Sequence, residues 1–409
     1  MITKRKNNIS YLCIIAVVLQ NISVFFSDIV QYITIIQFVC LILYLIYMLI
    51  YRINLRVYKP LIMWLMYLFV VFINIFIGGD EYFVLSFLLI NFVMILTLSI
   101  DNLGIFEYKI VKLFCEIHLF CSLIVYILPH YLYDGIFAFL LGNNASSNYS
   151  WRVISNMNAG ITTQPGINAI YLSLLVMICA VEIIEKKGNS ILNIVLLLLS
   201  FMMVVSTGKR SAIILTILVI TLYFCCFKFT KVKSFKVIDL LKAIVLAFFI
   251  GVFGYWLINK SLAVQTLILK ANQLAKMGDI SNGRFELWNY AIDKWLENPI
   301  MGIGFKQIQK LTGLDVHNTY FQILAETGLI GFLVFIISII LILNYAYKKV
   351  KVSQHFQNID EKCCTSFGFM LILFLLIYGL LGNTFIDYLP VMLFSMAILL
   401  NYNSTEERI

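Results

Sequence analysis

The residues of this chain that could do chemistry are few, and they gather in three places. The first is Ser206-Thr207-Gly208-Lys209-Arg210-Ser211, where two cations share a tight turn between apolar runs. Cations in such a turn suit an anionic ligand, and the hydroxyl and backbone donors beside them suit phosphate. Snorkelling to lipid headgroups is the other use of the same side chains. The second is Arg284. Around it, Phe285, Trp288, Ile292, Trp295 and Leu296 recur at the spacing of a short amphipathic helix, begun by Asn282 or Gly283 and stopped by Pro299. Arg284 then occupies the first turn, where the helix dipole disfavours a cation and a nearby anion would relieve the conflict. The aromatic stripe reads as a face packed on spans or headgroups, or as a sugar platform. The third is Gly313-Leu314-Asp315-Val316-His317-Asn318-Thr319-Tyr320, a loop entering another apolar run. Asp315 or Asn318 can cap that helix. His317 therefore stands at a helix N-terminus, which disfavours imidazolium. A neutral imidazole at pH 7 is what a general base requires. A capping or hydrogen-bonded structural histidine is the alternative.

Further groups accompany these. Glu326 follows in the first turns after His317, placed either to pair with an arginine or to orient His317. Asp387, in Gly382-Asn383-Thr384-Phe385-Ile386-Asp387-Tyr388, opens the last apolar run. Ionisable groups at membrane depth default to function, although either carboxylate could be structural. Arg152 lies beside Trp151 and reads equally as an interfacial anchor or half of a sugar-stacking pair. His118, His130 and His355 lack comparable surroundings and read as structural. The cysteines all lie in apolar runs or at their ends, so no disulfide framework is implied. Cys225-Cys226 and Cys363-Cys364 lack metal-ligand spacing and read as small packing residues.

Composition says what scaffold must position these groups. The 409 residues are 62% hydrophobic and 12% charged, with a mean hydropathy of +0.94. Soluble domains carry roughly 25% charged residues, and half that charge cannot cover a globule of this size. An aromatic content of 15% excludes disorder, and continuous apolar runs disfavour a β-barrel. What remains is an all-α, polytopic membrane protein. Apolar runs of spanning length, about 17–25 residues, predict twelve helices: 9–26, 29–51, 60–78, 82–100, 109–128, 167–185, 190–206, 211–227, 239–258, 321–345, 363–381 and 384–400. Residues 1–409 then form a single transmembrane domain with two long connections, 129–166 and 259–320. The first run lacks a small-residue cleavage site and reads as a span rather than a removable signal.

Twenty of the 30 Lys and Arg residues fall in alternate connections and at the two ends of the chain. The positive-inside rule puts that side, and both termini, in the cytoplasm. The net charge of +9 is mainly this bias and carries no nucleic-acid signal. The opposite side holds Arg152, Lys209, Arg210 and seven basic residues of 259–320. Arg284 and His317 share that side, so the chemistry is expected to face away from the cytoplasm.

The inventory of cations and one neutral histidine lacks Asp-x-Asp or paired His ligands, which argues against a nucleotide-sugar enzyme using Mg²⁺ or Mn²⁺. A lipid diphosphate in the outer leaflet suits the arginines, which can neutralise it as it leaves. His317 could take the proton from an acceptor hydroxyl, a contribution of about 10²–10⁴-fold. Transporters place ionisable groups or broken helices near the midplane, whereas these charges gather at one face.

Gly283-Arg284, Trp288, Ala291, Asn298-Pro299, Gly302-Ile303-Gly304-Phe305, His317-Asn318-Thr319-Tyr320, Leu324, Glu326 and Gly328-Leu329-Ile330-Gly331 together resemble the signature of the O-antigen polymerase/O-antigen ligase superfamily of bacterial membrane glycosyltransferases. Ser206-Thr207-Gly208-Lys209-Arg210-Ser211 is similar to that family's serine-and-arginine turn between spans. Gly328 and Gly331 look like sites of close helix packing. The resemblance implies a GT-C-like fold with a large late periplasmic loop, and an undecaprenyl-diphosphate-linked oligosaccharide donor. It implies inversion at the anomeric carbon, no cofactor and no metal. Carried over by position, His317, Arg284 and Arg210 become the catalytic candidates. Arg152, Lys209, Asn318, Tyr320, Glu326 and Asp387 become substrate-binding candidates. The implied protein is a Wzy-type polymerase of O-antigen or capsular repeat units in the bacterial inner membrane. Its implied partners are the lipid bilayer and a chain-length regulator and flippase of the same pathway, with no nucleic acid. An O-antigen ligase transferring polymer to lipid A–core is the alternative, and a flippase or transporter for the same lipid-linked sugar is a more distant one.

Overall fold

The computed structural model describes residues 61–98, 104–129, 156–162, 164–228 and 283–402, with residues 152–153 and isolated positions before residue 61. All regular structure among the described residues is helical. In chain order the helices are α1 (Leu61–Ile77), α2 (Glu81–Leu98), α3 (Gly104–Ile127), α4 (Pro165–Ile184), α5 (Ser190–Ser206), α6 (Arg210–Phe227), α7 (Arg284–Glu297), α8 (Gln307–Thr312), α9 (Thr319–Ser353), α10 (Ile359–Tyr378) and α11 (Tyr388–Tyr402). Five of them, α3, α4, α6, α9 and α10, are long and apolar enough to cross a membrane, and α1, α5 and parts of α2 and α11 are shorter apolar helices. Large apolar side chains stand exposed on these helices, including Phe69 at 63%, Phe76 at 80% and Ile191 at 73%. A soluble fold would bury them; a bilayer solvates them.

Nine of the twelve expected spans therefore coincide with helices; those at 9–26 and 29–51 are described only at isolated positions, and that at 239–258 lies outside the described residues. Two boundaries differ by more than four residues. Helix α3 begins at Gly104 rather than 109, and α9 continues to Ser353 rather than 345. Hydropathy marks where lipid surrounds a helix, not where the helix ends. Beyond Gly328, α9 has 25 residues to Ser353, roughly 37 Å at 1.5 Å per residue. That exceeds a hydrocarbon core of about 30 Å, so the turns carrying Lys348, Lys349 and Lys351 can stay helical beyond it.

The chain divides into two compact units, one of residues 1–114 with 283–409 and the other of residues 115–282. In the first, α9 packs on α1, α10 on α11, and α11 on α2. Its core is aromatic: Trp64 lies 5.3 Å from Tyr67 and 5.4 Å from Phe394, and Phe385 lies 5.4 Å from Phe335, centroid to centroid. Trp64 Nε1 is satisfied at depth by Asn91 Oδ1 at 2.9 Å. In the second unit, α4 is buried along nearly its whole length between α5 and α6. Pro165 opens α4, where its missing N–H costs nothing. Asn189 caps α5, accepting from the N–H groups of Ile191 and Leu192.

The buried histidine of this second unit, His118, packs against Tyr171 with ring centroids 4.4 Å apart and the ring planes tilted by 39°, which fits its structural reading. His130 lies outside the described residues. Cys363 and Cys364 are buried as packing residues should be, but Cys225 and Cys226 are exposed on α6. The packing role expected of both cysteine pairs therefore holds for one.

Candidate functional site

The site in the first unit is built around a broken helix. Gly328 has φ 67° and ψ −171° inside α9, so the helix is interrupted there. The break strands four backbone groups that an unbroken helix would pair: the carbonyls of Ala325 and Glu326 and the N–H groups of Leu329 and Ile330. The segment after α7 satisfies all four. Ile303 N donates to Ala325 O at 3.0 Å and Gly304 N to Glu326 O at 3.0 Å, while Leu329 N donates to Pro299 O at 2.9 Å and Ile330 N to Ile300 O at 3.3 Å. Glycine is required because the strands of chain touch: a Cβ on Gly304 would lie 2.5 Å from Gly79 N. Gly331 packs closely on Val70, and Gly328, besides breaking the helix, lies against the backbone of Ile300 and Gly302.

This arrangement delivers Lys306 into the interior. Lys306 is 5% exposed and has φ 62°, a left-handed backbone unusual for a residue with a side chain. Its ammonium lies 3.0 Å from Asp315 Oδ1 and 3.2 Å from Asp387 Oδ1. It also sits 5.8 Å from the centroid of the Phe83 ring. Burial acts to lower the Lys306 pKa, but Asp387 and Asp315 together hold it above the usual amine range. Glu326 is fully buried beside this group. Its Oε1 accepts from Gln322 Nε2 at 3.1 Å and from Ile308 N at 3.4 Å, and Gln322 Nε2 also reaches Asp315 Oδ1 at 3.4 Å. Glu326 Oε2 and Gln322 Oε1 are buried without a hydrogen-bond partner. Glu326 thus joins the Lys306 network, and among the described residues it forms no ion pair with an arginine.

His317 is held beside that network. It is exposed, with φ 55°. Its neighbours are fixed on each side. Val316 is buried and its carbonyl accepts from Trp288 Nε1 at 3.2 Å. Asn318 caps α9, accepting from Tyr320 N at 3.0 Å and Phe321 N at 3.2 Å. The cap is therefore Asn318, and Asp315 is instead committed to Lys306. Thr319 ties the start of α9 to the turn after α10, its hydroxyl donating to Gly382 O at 2.8 Å, and Tyr320 Oη donates to Leu376 O at 2.7 Å.

Arg284 is the first residue of α7, behind Gly283 at φ 80°, as the spacing predicts. Asn282 lies outside the described residues. The stripe on α7 divides. Trp288 and Trp295 pack inward on a small core of Ala291, Ile308, Val316 and Ala325, whereas Phe285 at 57% and Leu296 at 62% remain exposed. Pro299 follows the last turn, as expected.

The second unit carries the other cations. In the 206–211 turn, the Ser206 hydroxyl donates to Met203 O at 2.7 Å and the Thr207 hydroxyl to Val204 O at 2.6 Å. Both hydroxyls are buried and committed to the end of α5, so they are not the phosphate donors their composition suggests. Lys209 precedes α6 and packs near Gly166, while Arg210 opens α6 and is exposed. Arg152 donates to Tyr126 O at 3.0 Å and to Asn156 Oδ1 at 3.3 Å, and its guanidinium lies 4.9 Å from the centroid of the Tyr126 ring. Its aromatic partner here is Tyr126; Trp151 lies outside the described residues.

The first unit therefore holds Arg284, His317, Asn318, Tyr320, Glu326 and Asp387, and the second holds Arg152, Lys209 and Arg210. Lys306 was not singled out by the sequence. Its partners are 9 and 81 residues away, and nothing local separates it from the other basic residues of its loop. Among the described residues no group of three or more His, Cys, Asp or Glu side chains could hold a metal ion.

An all-helical membrane protein with a polar cluster at the broken start of a long helix is the class these features define. Residues 195–336 match the family model described as O-antigen ligase, and the match supports the O-antigen polymerase/ligase superfamily, whose members are glycosyltransferase-like enzymes. The matched segment contains Lys209, Arg210, Arg284, Lys306, His317, Asn318, Tyr320 and Glu326. No curated protein matches the chain.

Proposed function

We propose that this protein is a GT-C-like glycosyltransferase that joins undecaprenyl-diphosphate-linked repeat units of O-antigen or capsular polysaccharide at the periplasmic face of the inner membrane. The observation that carries the proposal is His317: an exposed imidazole in a strained backbone, directly before the capped N-terminus of α9, inside the matched segment. Strain of this kind persists where the surroundings over-determine it, and such positions cluster at functional sites.

In the proposed reaction the neutral imidazole of His317 takes the proton of an acceptor sugar hydroxyl. The freed oxygen attacks the anomeric carbon of the donor, and the bond to the lipid diphosphate breaks with inversion. Arg284, the first residue of α7, is the proposed cation for the leaving diphosphate. Lys209 and Arg210 are proposed anion-binding residues of the second unit.

A ligase that passes the finished polymer to lipid A–core is the second reading, favoured by the description of the matching family. The glycans of a deletion strain separate the two. Core capped with a single repeat identifies a polymerase. Uncapped core with accumulating lipid-linked polymer identifies a ligase. Unchanged glycans overturn both.

A further inference from the structure

Lys306 has a geometry unlike that of a loop lysine. A charged side chain this deeply buried is costly, several kcal/mol in typical proteins, unless paired. Here it is paired twice, with Asp315 at 3.0 Å and Asp387 at 3.2 Å. Asp315 lies two residues before His317, and Asp387 directly precedes α11. The His317 backbone needs support of this kind, because a left-handed conformation costs a residue with a Cβ about 1–2 kcal/mol. Val316 and Asn318 are each held by one hydrogen-bonded neighbour element, Trp288 and the first turn of α9. Asp315 is a further anchor of the turn, held by the Lys306 ammonium and by Gln322 Nε2 at 3.4 Å.

We infer that Lys306 is a positioning residue for His317: by pairing with Asp315 and Asp387 it fixes the 313–318 turn against the start of α11 and holds the imidazole in its left-handed pose. What His317 then does rests on the proposed function; how it is held rests on the geometry alone. The turn connects α8 to α9, and Lys306 opens α8 while Asp387 stands before α11. Removing the ammonium leaves two carboxylates facing each other, with Glu326 close behind, so the turn is pushed open rather than merely loosened.

The test uses the full-length protein in lipid nanodiscs and diethyl pyrocarbonate, which acylates neutral imidazole, with the rate at each histidine read by mass spectrometry. His355 is exposed and serves as the internal control. Lys306→Met is expected to change the His317 rate several-fold and leave the His355 rate unchanged, and Lys306→Arg is expected to return it toward the wild-type value. An unchanged His317 rate in a Lys306→Met protein with wild-type thermal midpoint overturns the inference. If Lys306→Met does not fold, Asp315→Asn, which removes one partner and leaves the cation, is read the same way. With lipid-linked repeat units as substrate, Lys306→Met should lower kcat by about 10²-fold, the order of loss from a 1 Å misplacement, with KM unchanged. A raised KM with unchanged kcat also overturns it. If wild-type protein forms no glycosidic bond while the His317 rate still responds to Lys306, the proposed function fails and the positioning role stands.

Discussion

A Cβ on Gly302 would lie 2.5 Å from the backbone nitrogen of Gly328. These two glycines, 26 residues apart, are where the segment after α7 lies against the break in α9, and every other part of the site is referred to that contact. The loop lends its amides to the broken helix, and the broken helix sets where Lys306 and His317 emerge.

Gly302→Ala should therefore be strongly destabilising. Gly302 has φ 76°, so the left-handed backbone alone costs an alanine about 1–2 kcal/mol, and the collision with Glu326 O and Gly328 N adds to it. Gly313→Ala is the comparison: Gly313 has φ 72° with nothing near its Cβ, so only the backbone cost applies. Thermal midpoints of the two purified variants should fall in that order, with Gly302→Ala the lower.

His317→Ala should abolish polymer without lowering the amount of protein in the membrane, because the side chain is exposed. Loss of a general base is worth about 10²–10⁴-fold. His317→Asn is the stricter variant, since asparagine tolerates the left-handed backbone. A full glycan ladder in either strain removes His317 from the mechanism.

Arg284→Ala should lose activity while holding or gaining stability. A cation in the first turn of a helix opposes the dipole by about 0.3–1 kcal/mol, and removing it relieves that conflict. A glycan ladder together with a thermal midpoint would show the two moving in opposite directions. Retained polymer would mean the leaving diphosphate is neutralised elsewhere.

Asn318→Ala should cost roughly 1 kcal/mol through the lost cap of α9, whereas Asn318→Ser should hold stability because serine caps as well. The thermal midpoint checks the cap. The glycan ladder of the serine variant then isolates any direct use of the amide by substrate.

Much of the scaffold is legible before folding is considered. In lipid every backbone polar group must be paired internally, so a long apolar run is committed to helix. That is why 60–78 and 167–185 reappear as Leu61–Ile77 and Pro165–Ile184. The end of α7 before Pro299 and the Asn318 cap of α9 are equally local, set by a missing N–H and a side-chain acceptor within one turn. The tight turn at 206–211 was also legible, but its hydroxyls were not. Whether Ser206 and Thr207 donate to a ligand or to Met203 and Val204 depends on burial, which residue type does not report.

The sequence by itself determined a helical membrane protein with scarce charges, and it isolated His317 and Arg284 as the residues to examine. Only the tertiary structure decided that Gly328 breaks α9, that Glu326 faces inward to Gln322, and that Lys306 pairs with both Asp315 and Asp387. The reason is range. Hydropathy, caps and prolines act within a few residues, whereas Lys306 meets Asp387 across 81 positions and Gly304 meets Glu326 across 22. Pairings at that distance exist only once the helices have packed.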